Sequence, residues 1–429
     1  MIKKLSKNVL SLFLGEGLGH FLGFIVNAYI ARILSVEGFG IINYGLAFLT
    51  YLLLFSNMGL TTLGVREIAK DKKNTTIVSE ITGTRISLTF ILCITFLILL
   101  LVIPGDALTR KIIFLYLLTG IPYAFYLEFV FQGREEMEFI GIGRVIHYSG
   151  YLILVIIFLK TKGQILSVPL SYLGGYFFAT VFLFIVFLRK YNRLSITIKP
   201  INSYHLLISA LPIGLATIIY QAVMNFPVIC LGIFHNQKDV GLFSAGFKII
   251  ILLLIIERIF YYLFFPIFSK QAKQNLANIG KSFAFFSQLV TGITFVITIV
   301  GLILTEKIIT IIYGTDFVAG TGILRILLLY FMIAPLNTIW GYGLIALNQE
   351  KKFFNVIVVI AIMNLLLTVI LGYLFKGIGV AFAILISESY GLFLMYKNLN
   401  SVVQFRLFTF LNVNEIKNLL QDQSASSSR

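Results

Sequence analysis

Charge is scarce in this chain. Of its 429 residues only 12% are Asp, Glu, Lys or Arg, while 59% are hydrophobic. A water-soluble domain carries about a quarter charged residues, and a larger globule still needs a charged skin. A soluble enzyme and a disordered tail protein are both excluded. Cysteine is nearly absent: Cys93 and Cys230 both lie in apolar runs, which excludes a disulfide-stapled secreted scaffold and leaves no clustered His/Cys metal set. Missing too is a phosphate-binding loop. Gly280-Lys281-Ser282 comes closest, but Asn275 stands where the first glycine belongs, and no strand precedes it. No paired acidic motif for sugar transfer occurs in a loop, and no Ser/His/Asp arrangement can be assembled.

Long apolar runs are what the chain has instead. A membrane-crossing helix needs about 20 mostly apolar residues. Twelve runs meet this, near 9–32, 38–59, 81–103, 111–132, 139–159, 166–188, 206–233, 240–268, 282–304, 320–347, 353–375 and 377–397. The expected fold is an all-α polytopic membrane protein of about 12 spans in two pseudo-symmetric six-helix lobes around a central cavity. The first run follows Lys3, Lys4 and Lys7 but contains Glu16 and His20, and is read as an uncleaved first helix rather than a signal peptide. With the N-terminus in the cytoplasm, the inner connections hold 21 Lys and Arg and the outer ones 8. This bias predicts a multi-pass membrane protein with both termini cytoplasmic. It also accounts for most of the net charge of +16, so no nucleic-acid partner is expected. The tail should carry a short helix over 408–420 and a disordered Ser-rich end.

An internal repeat is visible. Gly40-Ile41-Ile42-Asn43-Tyr44-Gly45 opens the second span and Gly241-Leu242-Phe243-Ser244-Ala245-Gly246 opens the eighth, each after a short outer loop with an acidic residue, Glu37 or Asp239. The expected organisation is an N-terminal lobe over 1–200, a C-terminal lobe over 201–400 and a cytoplasmic tail over 401–429. An even number of spans per lobe makes the repeats parallel, a common transporter plan with the site at the repeat interface.

Ala31-Arg32-Ile33-Leu34-Ser35-Val36-Glu37-Gly38-Phe39-Gly40, then Ser56-Asn57-Met58-Gly59-Leu60 and Arg66-Glu67-Ile68-Ala69, resembles the opening of the polysaccharide-exporter branch of the multidrug/oligosaccharidyl-lipid/polysaccharide superfamily. Val240–Lys248, with Pro266, resembles the start of that branch's second lobe, and Ile312–Phe317 a further outer-loop signature. Within the branch, the Wzx-type O-antigen or capsule repeat-unit flippases are the nearest match. The resemblance implies flipping of a polyprenyl-pyrophosphate-linked oligosaccharide from the cytoplasmic to the outer leaflet, with membrane lipids and a polysaccharide polymerase machinery as partners.

Ionisable groups at membrane depth are costly and point to function. Glu16, His20 and Asn27 form a polar stripe on the first span, beside the small-residue track Gly15-x3-Gly19-x3-Gly23. Thr217, Gln221 and Asn225 share a face of the seventh span between Pro212 and Pro227, which should bend it. Lys248, Glu257 and Arg258 lie in the eighth span; on a continuous helix Ser244, Lys248 and Tyr262 share a face and Glu257 points away from Lys248. The expected substrate contacts are Lys248 and Arg258 to the pyrophosphate, and Asn27, Gln221 and Asn225 to sugar hydroxyls. The expected ion-coupling groups are Glu16, His20, Glu257 and Glu388. No cofactor or metal is expected, and no enzymatic chemistry; the coupling ion would be a proton or sodium. Each of these groups could instead serve packing. Arg85 and Glu128 are expected to pair, Arg144 to snorkel, and Arg32 and Arg66 to anchor helix ends. Two other readings compete with the flippase. A cation-coupled multidrug exporter would favour an acidic cavity over Lys248 and Arg258, and a membrane glycosyltransferase or O-antigen polymerase would need larger outer loops.

Overall fold

The computed structural model describes residues 2–72, 74–103, 105–191, 200–274 and 276–403. The expected tail helix lies outside the described residues, as do the side chains of Glu16, Thr217 and Arg258. Among the described residues the structure is helical throughout: α1 (Ile2–Ile33), α2 (Val36–Asn57), α3 (Leu60–Lys70), α4 (Thr76–Leu99), α5 (Ala107–Leu117), α6 (Gly120–Ala124), α7 (Glu128–Gly133), α8 (Met137–Phe158), α9 (Ser167–Tyr191), α10 (Pro200–Phe234), α11 (Gln237–Leu253), α12 (Ile255–Gln274), α13 (Leu276–Tyr313), α14 (Thr321–Ala346) and α15 (Glu350–Asn400). Nine helical stretches among them are long and apolar enough to cross a membrane. Shorter apolar stretches cover Gly17–Ile33 and Ile218–Phe234. The longest, α15, is interrupted at Lys376, whose φ of 55° and ψ of −140° leave the helical region. That break falls where the sequence separates its last two apolar runs.

Three local departures from the expected spans have clear causes. The run 111–132 is not one helix but α5, α6 and α7, broken around Gly120 and Pro122. A broken helix within a membrane frees backbone carbonyls that need donors, and Arg85 Nη1 supplies one to the Tyr126 carbonyl at 2.9 Å. Asp106 caps α5, accepting from the Thr109 backbone N–H at 2.8 Å; the Thr109 hydroxyl and N–H hold its carboxyl below the ordinary carboxylate range. The run 240–268 is broken at Leu254 into α11 and α12, so faces cannot be counted across it at 100° per residue. The expected opposition of Glu257 to Lys248 rested on that count and does not carry over. The third departure is α3, an amphipathic helix that buries Leu60, Leu63 and Ile68 and turns Arg66, Glu67 and Lys70 outward. It starts from a tight corner. Met58 (φ 41°) and Gly59 (φ 86°) are both left-handed, which glycine adopts without a Cβ penalty. Asn57 Oδ1 secures the corner by accepting from the Thr61 N–H at 3.0 Å and hydroxyl at 2.7 Å.

By compactness the chain divides into two units, residues 1–245 with 309–319 and residues 246–308 with 320–429. In the first unit α1 packs on α8, α8 on α9, and α10 on α2, α3 and α4. The glycine track of α1 makes the first of these possible. Gly15 lies against Gly141, where an added Cβ would collide with backbone, and a Cβ on Gly19 or Gly23 would stand 3.0 Å from the Tyr148 ring. Such close approach is the small-residue packing of membrane helices. We expect Gly15→Leu to force α1 off α8, lowering stability by about 1–3 kcal/mol; thermal unfolding of the purified protein against Gly17→Ala, where an added Cβ meets nothing within 4 Å, measures the difference.

The repeat glycines also meet within the first unit. Gly40 lies against the Gln237 carbonyl and Gly241, and Gly241 against the Val36 carbonyl. Arg32 closes the same end, donating from Nε to the Ile312 carbonyl at 3.0 Å and from Nη2 to the Ile311 carbonyl. A guanidinium on the last carbonyls of a helix is favoured by the helix dipole, so Arg32 acts as the expected anchor. Phe39 packs on Tyr313 and Phe317 beside it, with ring centroids at 6.0 and 5.7 Å.

The second unit packs α12 on α14 and α14 on α15. Its core is phenylalanine-rich, with Phe260, Phe264, Phe268, Phe283 and Phe286 around Trp340. The indole N–H, which would be costly unpaired, donates to Ser287 Oγ at 2.9 Å. Cys93 and Cys230 form no disulfide.

Candidate functional site

The second unit brings two expected coupling groups together. Glu388, on the second part of α15, accepts at Oε2 from Asn337 Nδ2 at 2.7 Å, and the same amide donates to the Glu388 carbonyl at 3.0 Å. Glu257, in the first turn of α12, stands against Thr338 and is near enough to Glu388 for the two carboxylates to repel. Asn337 is 9% exposed and its Oδ1 has no hydrogen-bond partner. Among the described residues no cation forms an ion pair with either carboxylate. Asn364, 2% exposed, continues the polar layer along α15 by donating to Ser387 Oγ at 3.0 Å. Asn337 and Thr338 were not singled out in the sequence; an Asn-Thr pair inside the apolar run 320–347 was the available signal.

Lys248 sits on α11, half-buried, and forms no ion pair among the described residues. A cation in that setting is expensive unless water or an anion solvates it.

In the first unit the charged groups are arranged differently from the sequence expectation. Arg85 does not pair with Glu128. It is 3% exposed, donates to the Tyr126 carbonyl, to Thr61 Oγ1 at 2.6 Å and to Asn57 Oδ1 at 3.3 Å, and lies 5.1 Å from the Tyr123 ring centroid. From α4 it reaches the end of α2, Thr61 on α3 and the turn between α6 and α7, where neutral acceptors and ring faces replace hydration, so Arg85 is a structural tie. Glu128 instead accepts from Arg144 Nη2 at 2.6 Å. α8 carries Arg144 past α7, within reach of this carboxylate. The pair keeps 27% and 24% side-chain exposure.

The remaining expected contacts are dispersed. Asn27 turns Nδ2 back to the Gly23 carbonyl at 2.7 Å, and Asn225 does the same to the Gln221 carbonyl at 2.8 Å. Each leaves its Oδ1 as the group that could meet a ligand. Gln221 is exposed and His20 half-buried. Pro212 and Pro227 lie within the uninterrupted α10.

Taken together, the apolar helices and the polar groups within them define a multi-pass membrane protein. Its backbone matches a solved inward-facing multidrug-resistance transporter with a TM-score of 0.72 at 13% identity, over 90% of this chain and 95% of that one. It matches the lipid II flippase MurJ in an inward closed conformation with a TM-score of 0.72 at 16% identity, over 96% of this chain and 92% of that one. Residues 5–272 match the family described as "Polysaccharide biosynthesis protein", and the chain belongs to that family. A relative from Escherichia coli (strain K12), named "Putative O-antigen transporter", is 23% identical over 393 residues, covering 90% of this chain and 94% of the relative.

Proposed function

We propose that the chain flips a polyprenyl-pyrophosphate-linked oligosaccharide repeat unit from the cytoplasmic to the outer leaflet of the bacterial inner membrane. It does so by alternating access, with both termini cytoplasmic. The carrying observation is the family match together with a named O-antigen transporter that aligns along nearly its whole length. The chain acts as a carrier rather than an enzyme, and the flipped unit passes to a polymerase machinery. Unpaired cationic charge at membrane depth suits an anionic cargo, since a fixed ammonium can replace water around a pyrophosphate. Lys248 is assigned that role, with Arg258 second; Asn27, Gln221 and Asn225 are assigned to sugar hydroxyls. Glu257 and Glu388, with Asn337 and Thr338, are assigned to the coupling proton or sodium, and Glu16 and His20 to a second polar stripe. The likeness to a multidrug transporter concerns the fold alone, and Lys248, which forms no ion pair among the described residues, disfavours an organic-cation cargo.

Deleting the gene in its host and supplying it back tests this reading. Wild type is expected to restore surface polysaccharide, and its absence to leave the lipid-linked unit shielded from an impermeant lectin on spheroplasts. Lys248→Ala is expected to restore about a tenth or less, the equivalent of about 1.4 kcal/mol or more. Full surface polysaccharide in the deletion strain would refute the assignment.

A further inference from the structure

Tyrosine is concentrated in one place in the first unit. The His147 ring on α8 has Tyr148, Tyr176 and Tyr172 around it, with ring centroids at 4.6, 4.8 and 5.0 Å. Tyr172 in turn lies 5.2 Å from Tyr151 and 5.8 Å from Tyr116. The core of the second unit uses phenylalanine for aromatic packing. A hydroxyl carried into a helix interface costs free energy unless it is hydrogen-bonded. A chain with 41 Phe that sets tyrosines here has therefore placed hydroxyls where packing alone does not need them.

One polar atom of the cluster is buried without a partner: His147 is 7% exposed and its Nε2 makes no hydrogen bond. Buried groups left this way are rare and call for an explanation. The cluster is not closed packing, because Tyr148, Tyr172 and Tyr176 keep accessible surface. Arg144, paired with Glu128 and about a quarter exposed, lies one helical turn from His147 along α8. Its guanidinium is already neutralised, so the region offers ring faces and neutral hydrogen-bonding groups rather than net charge.

We propose that this tyrosine–histidine chamber is the subsite for a sugar ring of the lipid-linked oligosaccharide. The apolar C–H face of the ring lies on tyrosine, and the ring hydroxyls complete the hydrogen bonds of His147 Nε2 and the tyrosine hydroxyls. This inference rests on the flippase reading. A saccharide fits because it joins an apolar face to a dense rim of neutral donors and acceptors. An organic cation would stack on the same rings, but the one carboxylate at the edge is held by Arg144.

The test uses the full chain in lipid nanodiscs. Its ligands are undecaprenyl pyrophosphate and the lipid-linked oligosaccharide pool extracted from the deletion strain. The Tyr172→Phe/Tyr176→Phe variant keeps ring shape and removes two hydroxyls, and its thermal midpoint is read alongside. The expected result is about a tenfold loss of affinity for the sugar-bearing lipid, with undecaprenyl pyrophosphate binding unchanged. Equal affinity of variant and wild type for the sugar-bearing lipid overturns the chamber and leaves the flippase reading standing. A parallel loss for both lipids also overturns it, since the effect is then not on sugar. Binding of neither lipid by wild type counts against the flippase reading itself and removes the chamber's ligand with it.

Discussion

Glu388→Gln is expected to uncouple transport from the ion gradient and to slow it by about tenfold to a hundredfold, the worth of a charge-assisted interaction of about 1.5–3 kcal/mol. The reason is the company Glu388 keeps. Its carboxylate is bound by one Asn337 N–H at 2.7 Å, and a second carboxylate, Glu257, stands near enough to repel it. Like charges in a medium of low dielectric repel far more strongly than in water. A proton or a sodium ion taken up at Glu388 would relieve that repulsion, and the unpartnered Asn337 Oδ1 is a further oxygen for such an ion. Replacing the carboxylate by an amide keeps the size of the side chain and abolishes the charge that attracts the cation. The measurement is the initial translocation rate in proteoliposomes under imposed proton and sodium gradients. Wild type should accelerate with one of them and the variant with neither. A variant that keeps the wild-type response removes Glu388 from coupling.

Gly241→Val should loosen the packing of the first unit at the end where the repeat glycines meet. A Cβ at this position collides with the Val36 carbonyl, and one at Gly40 with the Gln237 carbonyl. Both obstacles are backbone, so no side-chain rotation relieves them, and overpacking of this kind costs about 1–3 kcal/mol. That is enough to shift a two-state balance by roughly tenfold or more. The contact lies at the outer side in the proposed orientation. Ser244, 3% exposed and one turn from Gly241, is a suitable reporter. In a Ser244→Cys background, an impermeant maleimide added from outside should react about tenfold faster with Gly241→Val than without it, and transport should fall. Unchanged labelling together with normal transport would show that the glycine contact does not hold this end together.

Much of the fold was legible in the sequence because burial in lipid has a plain signature. Apolar length gave the helices, and the four-residue spacing of Gly15, Gly19 and Gly23 gave the face on which α1 meets α8. The repeat motifs marked Gly40 and Gly241, which touch. Partners were less legible, because periodicity reports which way a residue faces and not what it meets. Glu128 serves Arg144 rather than Arg85, which takes the neutral acceptors around Tyr126 and Thr61 instead. The break at Leu254 likewise cancelled the face counted across α11 and α12. The α3 helix is too short and too charged to register as a span. The tyrosine–histidine cluster draws on residues from 116 to 176 across three helices, with no period to reveal it. Glu257 and Glu388 were singled out one at a time as buried charges; their proximity, and the place of Asn337 beside them, came only from how α12, α14 and α15 pack.

The most direct test of the flippase account is translocation by the purified chain. Proteoliposomes would be loaded with the extracted polyprenyl-pyrophosphate oligosaccharide, and access of its sugar to an impermeant glycosidase or lectin followed over time. The account predicts that the shielded half of the glycan becomes accessible only when the wild-type chain is present, and far more slowly with Lys248→Ala. Accessibility that stays at half with several lipid-linked glycans, alongside gradient-driven efflux of organic cations, would contradict it.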